Sequence, residues 1–388
     1  MDFGLTTEQR MILGTVREFV TKELLPLEAE AQRAELDGRS FPGPGDLRRL
    51  QQKAKIAGLW GLLTPEEYGG ANLGMLMTAL ISAETSKALI PFTYGGYADN
   101  ILYDCNAEQK QRYLLPTIEG ERSSCFALTE PDTGSDATNI QMPAVREGSD
   151  WILNGRKVFI TNGLEADFAI VFAVTDKSKG HQGGVTAFLV DRAMGWSSQP
   201  IQTMGAWRPA EISFDGVRVP GQNVLGEVGK GFQLAMAWIG QGRIIIPARA
   251  LGQAQRLLEM ALDYSRQRIA FGRPIAEYQA IQWMLADSAV EIEQVKWLVL
   301  HAAWKADQGG DVRHEAAIAK LAGAGMIWRV VDRVMQIHGG MGYTKEMPIE
   351  RVMRDVRVYR IYEGTDEIQR RSIARNLLKG HATLRAWS

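Results

Sequence analysis

The chain has 388 residues, 44 basic and 45 acidic, for a formal net charge of −1. That balance gives no electrostatic footprint for nucleic acid or an anionic membrane. A hydrophobic fraction of 45% beside 23% charged residues supports two or three packed domains rather than a disordered chain. Cys105 and Cys125 lie far apart without ligand spacing, so neither a disulfide framework nor a metal site is expected. The first residues, MDFGLTTEQR, lack the basic and apolar stretches of a secretory leader. No apolar run approaches the roughly 20 residues that span a bilayer. The expectation is a cytoplasmic chain without a membrane span.

In chain order, Thr6-Thr7-Glu8-Gln9 offers an N-cap for a helix running to Val20. Further helices are predicted over 47–58, 75–90 and 107–118, with a turn-rich connector between Pro65 and Gly74. From 123 to about 230 the pattern changes to short β-branched and aromatic runs: Trp151–Leu153, Lys157–Ile160, Phe168–Thr175, Thr186–Asp191 and Glu211–Val219. Asn154-Gly155 between two such runs predicts a hairpin, and the zone reads as an antiparallel β domain. Helical periodicity then returns. Pro247 suits the first turn of a helix to Arg268. Long helices follow over 275–308 and 312–337, and a last one over 365–379, with Thr365 as N-cap and Gly380 at its end. The fold class is therefore α+β and multi-domain: a helical domain at 1–122, a β domain at 123–235 and a bundle-like helical domain at 236–388. His338-Gly339-Gly340-Met341-Gly342 resembles a dinucleotide loop, but it follows a helix rather than a strand, so a parallel nucleotide-binding sheet is not expected.

Four segments can carry chemistry. The loop Ala127–Asp136 combines hydroxyls and glycine after an apolar strand; it can present O–H and N–H donors to a ligand, or be an ordinary surface turn. Lys157–Gly163 ends a strand with an aromatic near a hydroxyl, which suits a ring-shaped cofactor or a half-buried sheet position. Gln336–Asp355 pairs adjacent glycines with a dense set of charges, most of which can be surface ion pairs. Arg360–Thr365 places one carboxylate, Glu363, between an aromatic and a glycine just before a helix. Burial there would raise its pKa toward that of a general base; in the open it would be a first-turn acid.

Taken together, these segments resemble the acyl-CoA dehydrogenase family. Ala127–Asp136 is similar to the family's ALTEP…GSD loop. Gln336-x-x-Gly339-Gly340-x-Gly342-Tyr343-x-x-Glu346, followed by Arg351 and Asp355, fits its second pattern, and Ile361–Thr365 is its IYEGT motif. The match runs from Glu8-Gln9 to Arg375 and implies the family's helical, β, helical fold. It also implies FAD as cofactor and an acyl-CoA substrate, with Glu363 abstracting the α-proton and flavin N5 accepting the β-hydride. Phe126, Leu128, Thr129, Gly134 and Ser135 would line the flavin, with Ser135 also facing the CoA chain. Phe159, Ile160 and Thr161 would lie against the ring, and Thr365 and Glu367 would touch it. Arg268, Phe271, Gln279, Gln336, Gly339 and Gly340 would reach the FAD of a neighbouring subunit. Gly242, Arg243, Tyr362, Gly364 and Arg375 would meet the substrate.

Some relatives place their base at the position of Gly242, so Glu363 is the one candidate here. Thr133, Ala270 and Gly240 depart from residues common in the family. The implied partners are an electron-transferring flavoprotein and identical subunits in a homotetramer, a dimer of dimers. An acyl-CoA oxidase, another flavin oxidase or hydroxylase of this fold, and a non-catalytic CoA-binding subunit are the alternatives. Ile244, Ile245 and Ile246 are placed to shape an acyl pocket or to fill the core. Acyl length, branching and ring content stay open.

Overall fold

The computed structural model describes residues 4–39 and 41–382. They fall into two compact units. One comprises the chain up to Trp60, Leu73–Tyr94 and everything from Gly242; the other comprises Gly61–Asn72 and Gly95–Gln241.

The first unit is helical. Its N-terminal segments give α1 (Thr7–Phe19), α2 (Glu28–Leu36), α3 (Pro44–Ile56) and α4 (Gly74–Thr85). Thr6 caps α1 through a reciprocal box: its hydroxyl accepts from the Gln9 N–H at 3.1 Å, and the Gln9 amide oxygen accepts from the Thr6 N–H at 3.0 Å. Then come α5 (Gly231–Gln267, in this unit from Gly242 on), α6 (Gln279–Asp307), α7 (Arg313–His338), α8 (Ile349–Val356) and α9 (Asp366–Leu378). Thr365 caps α9 by accepting from the Ile368 N–H at 3.3 Å.

Pro247 does not begin a helix. It lies inside α5, which runs through it. Proline removes one helical hydrogen bond, but α7 packs here so closely that a Cβ on Gly323 would lie 2.5 Å from the Pro247 Cβ. Burial of Ile244, Ile246 and Ala248 around the proline holds the helix together. On its other side α5 crosses α4 backbone to backbone: a Cβ on Gly252 would fall 1.8 Å from the Ala83 carbonyl oxygen. Small residues thus set helix spacing at the positions that aim the functional side chains.

The second unit holds eight strands: β1 (Ser124–Ala127), β2 (Ala144–Glu147), β3 (Asp150–Ile160), β4 (Phe168–Val174), β5 (Val185–Asp191), β6 (Ser197–Pro200), β7 (Ala210–Val219) and β8 (Val224–Leu225). They form two four-stranded sheets, ordered β1-β4-β5-β8 and β2-β3-β7-β6. All pairs in the two sheets are antiparallel except β1 with β4, which is parallel and pairs Phe126 with Ile170. Trp151, Leu153, Phe188, Val190, Ile212 and Phe214 belong to one apolar core.

The hairpin expected at Asn154-Gly155 is not there. The turn falls at Gly148, where Glu147 pairs with Asp150, and β3 runs on through Asn154-Gly155 with a register shift. Asn154 Oδ1 accepts from the Gly216 N–H of β7 at 2.7 Å, and Gly155 lies under Met142, where a Cβ would be 2.9 Å from Cγ. The pair is a bulge within a paired strand, which glycine also favours.

Candidate active site

In the helical unit the 3₁₀ turn Arg357–Arg360 delivers the chain to Tyr362-Glu363-Gly364 ahead of α9. Glu363 has φ 54° and Gly364 φ 92°. A non-glycine residue in the left-handed region is costly and must be held by its surroundings. Three side chains hold it. Arg243 Nε of α5 donates to the Glu363 carbonyl at 3.1 Å, and Gln369 Nε2 of α9 donates to the Glu363 and Gly364 carbonyls at 3.0 and 3.1 Å. Lys320 Nζ, fully buried on α7, donates to the Gly364 carbonyl at 2.7 Å. The carbonyls are taken, while the Glu363 N–H has no backbone acceptor among the described residues.

The Glu363 side chain packs on Gly242 of α5: a Cβ there would sit 2.9 Å from Cδ. Its Oε2 is shielded from solvent and has no hydrogen-bond partner. Burial pushes the carboxyl up to about 7, against the opposing pull of Arg243, Lys320 and Arg249. The carboxylate therefore titrates where a general base at neutral pH should. Burial brings Lys320 down to about 8, with Asp366 the main opposing charge. Arg243 is lowered by burial, and the Arg375 charge adds to that.

Other expected residues lie elsewhere. Arg268 and Phe271 belong to the small ribbon after α5, and Gln279 opens α6. Phe271 is 97% exposed at φ 49°. Gln336, Gly339 and Gly340, at the end of α7, are exposed. Thr365 is half-buried in its cap, and Glu367 lies in the first turn of α9.

In the sheet unit, Thr129 O accepts from the Val158 N–H at 2.9 Å, which ties the Ala127–Asp136 loop to β3. A buried pair reinforces this. Lys157 Nζ lies 2.8 Å from Glu130 Oε1 and 2.9 Å from the Leu128 carbonyl, and Glu130 also accepts from the Gln141 and Met142 N–H groups at 2.7 and 3.0 Å. Phe159 stands out of β3, 62% exposed, at φ 59°. Ile160 is buried and Thr161 exposed. Gly134 and Ser135 are exposed at the loop tip, and Leu128 is buried. Phe126 stacks on Trp238 at 4.1 Å between ring centroids.

Sequence reading passed over Lys320, Gln369, Arg249 and the Glu130–Lys157 pair. Lys320 leaves one signal: a lone cation in the small-residue run Ala316–Gly325. Among the described residues no cluster of three or more His, Cys, Asp or Glu could hold a metal ion. None of the helices described is long and apolar enough to cross a membrane.

A carboxylate of neutral pKa on a residue whose backbone N–H has no backbone acceptor is equipped to remove a proton next to a carbonyl. Residues 6–121, 125–217 and 229–378 match, in turn, the N-terminal, middle and C-terminal domains of acyl-CoA dehydrogenase. The chain belongs to the acyl-CoA dehydrogenase family. It is 38% identical to (R)-benzylsuccinyl-CoA dehydrogenase of Thauera aromatica, covering 97% of both chains. It is 39% identical to the human mitochondrial short-chain specific acyl-CoA dehydrogenase, covering 97% of this chain and 92% of that one. The solved butyryl-CoA dehydrogenase of Megasphaera elsdenii superposes with a TM-score of 0.87 at 36% identity, over 97% of this chain and 100% of that one.

The protein is accordingly a flavin oxidoreductase acting on CH–CH bonds, and FAD is its cofactor. The residues present fit that group. In the sheet unit, Phe159 offers an exposed ring beside the exposed Thr161.

Proposed function

We propose that the protein desaturates an acyl-CoA thioester to the trans-2-enoyl-CoA, with Glu363 as the base. The observation that carries this reading is the Glu363 carboxylate: buried on one oxygen, raised to about 7, and held in a left-handed turn by side chains from three helices. Bound FAD supplies the two-electron acceptor for the hydride that leaves the β-carbon. Glu363 takes the α-proton onto its carboxylate. Its own N–H donates to the thioester oxygen as negative charge builds there, so one residue fixes base and donor together. Arg243, Lys320 and Gln369 keep the turn from relaxing by engaging its carbonyls, which leaves that N–H without a backbone acceptor. The positive charges of Arg243 and Lys320 also offset the burial that would otherwise keep Glu363 protonated.

The same reading gives the flavin to Phe126, Leu128, Thr129, Gly134, Ser135, Phe159, Ile160, Thr161, Thr365 and Glu367. It gives the CoA ester to Ser135, Gly242, Arg243, Tyr362, Gly364 and Arg375. Arg268, Phe271, Gln279, Gln336, Gly339 and Gly340 would serve the FAD of another copy. The exposed Phe271 ring supports an assembly, as do the exposed Trp283, Val290, Trp297 and Trp304 at seven-residue spacing along α6. We read this assembly as a homotetramer; sedimentation of the FAD-loaded protein as a monomer at micromolar concentration would contradict it. An electron-transferring flavoprotein is the proposed acceptor of the electrons. The relatives' names range from short-chain to aryl-substituted acyl groups, so membership leaves the acyl group open.

The decisive experiment is Glu363→Gln. The amide keeps the shape of the side chain and cannot accept the proton. Bound flavin should be retained and turnover lost; activity within about tenfold of wild type, a barrier change of only ~1.4 kcal/mol, would remove Glu363 from the role.

A further inference from the structure

Asp99 immediately precedes the 3₁₀ turn Asn100–Asp104 in the sheet unit. An aspartate at such a place is suited to cap the turn with its side chain, yet this one makes no cap bond. Both of its carboxylate oxygens are used elsewhere. Oδ1 accepts from the Trp238 indole N–H at 2.7 Å, and Oδ2 accepts from the Ser124 hydroxyl at 2.6 Å.

Trp238 lies in the part of α5 that belongs to the sheet unit. Its ring lies flat on Phe126 of β1, with centroids 4.1 Å apart and planes 9° from parallel. Phe172 of β4 meets Phe126 at 4.8 Å and 51°. Ser124 and Phe126 alternate with the buried Cys125 and Ala127, so both point to the opposite face of β1 from those two. The result is a closed circuit. Asp99 binds the first residue of that face, Trp238 covers the second, and the bond between Asp99 and Trp238 joins them. The circuit also extends to the end of β3, because the Ser124 carbonyl accepts from Asn162 Nδ2 at 2.9 Å, next to Thr161.

Trp238 is only half-buried, so packing alone leaves its indole more than one rotamer. A hydrogen bond to a carboxylate is among the stronger kinds and has a direction. It selects the rotamer in which the indole lies on Phe126.

We propose that Asp99 is a positioning residue for the flavin: by holding Trp238 flat on Phe126, it fixes the ring that Phe126 presents to the cofactor. This rests on the reading that Phe126 lines the flavin. A ring held in one orientation before FAD arrives has less freedom to lose on binding, which strengthens the complex.

The test follows FAD release from the loaded enzyme by flavin fluorescence across a dilution series. Asp99→Leu should weaken FAD binding by about tenfold. Asp99→Asn keeps an acceptor for the indole and should stay within about threefold of wild type. Trp238→Phe keeps a ring on Phe126 but has no N–H for Asp99 to hold. Adding Asp99→Leu to that variant should therefore cost less than about twofold further. The same tenfold loss in both backgrounds would overturn the proposal, since Asp99 would then act through Ser124 or through the fold at large. So would unchanged FAD affinity in Asp99→Leu while Phe126→Leu releases the cofactor. If Phe126→Leu itself holds FAD as tightly as wild type, the placement of Phe126 at the flavin fails, and this inference with it.

Discussion

The Glu363 carboxylate rests directly on Gly242: a Cβ added to that glycine would lie 2.9 Å from Cδ and 3.1 and 3.2 Å from the two oxygens. The helix face that could have carried an alternative base is therefore occupied by the side chain of the proposed base. Gly242→Ala should leave the helix intact and displace the carboxylate. A misplacement of this size at a reacting group costs up to about a hundredfold. The expected result is kcat down by about ten- to a hundredfold with flavin content unchanged. Full activity in Gly242→Ala would show that the contact does not set the position of the base.

The raised pKa of Glu363 has a consequence for stability as well as rate. A carboxyl is half-ionised near 4.5 when unfolded and near 7 here. Between those values the unfolded chain has released a proton that the native state keeps, so stability falls as pH rises through this window and is level above it. Glu363→Gln removes the titration. It should match wild type near pH 4 and exceed it above pH 7 by on the order of 3 kcal/mol, read as a higher midpoint in thermal unfolding. Turnover of the wild type should rise through about pH 7 as the base deprotonates. A stability difference independent of pH would mean that the carboxyl is not perturbed.

Lys320 is a positioning residue, because it acts through the Gly364 carbonyl and through charge rather than by touching the reacting atoms. Lys320→Met keeps the buried volume and removes both effects. The acid limb of the pH–rate profile should move to higher pH, since a cation that favours ionised Glu363 is gone. A purely structural lysine would lower stability without moving that limb.

In the sheet unit the Glu130–Lys157 pair locks the loop from Ala127 to β3, with side-chain exposures of 7% and 0%. Removing one partner strands the other, and broken buried pairs of this kind cost about 3–5 kcal/mol. Lys157→Met should lower the melting temperature and loosen FAD. Replacing both residues by apolar ones of similar size should recover much of the stability. If flavin affinity is unchanged in Lys157→Met, the loop does not depend on the pair.

The amino-acid sequence by itself determined the element types and the order of helical and β zones, and it singled out Glu363 as the candidate base. Those follow from local information: periodicity, the Thr6 and Thr365 caps, the glycines after α7, and a motif contiguous around Glu363. It misplaced what depends on partners distant in the chain. Asn154-Gly155 has the chemistry of a turn, yet β7 and Met142 make it a bulge. Pro247 suits a helix start, yet packing against Gly323 carries the helix through it. Lys320, Gln369 and Arg243 converge on one turn from three helices. No local pattern encodes such a convergence. It is decided by how closely small residues let the helices approach, and that spacing exists only once the chain has packed.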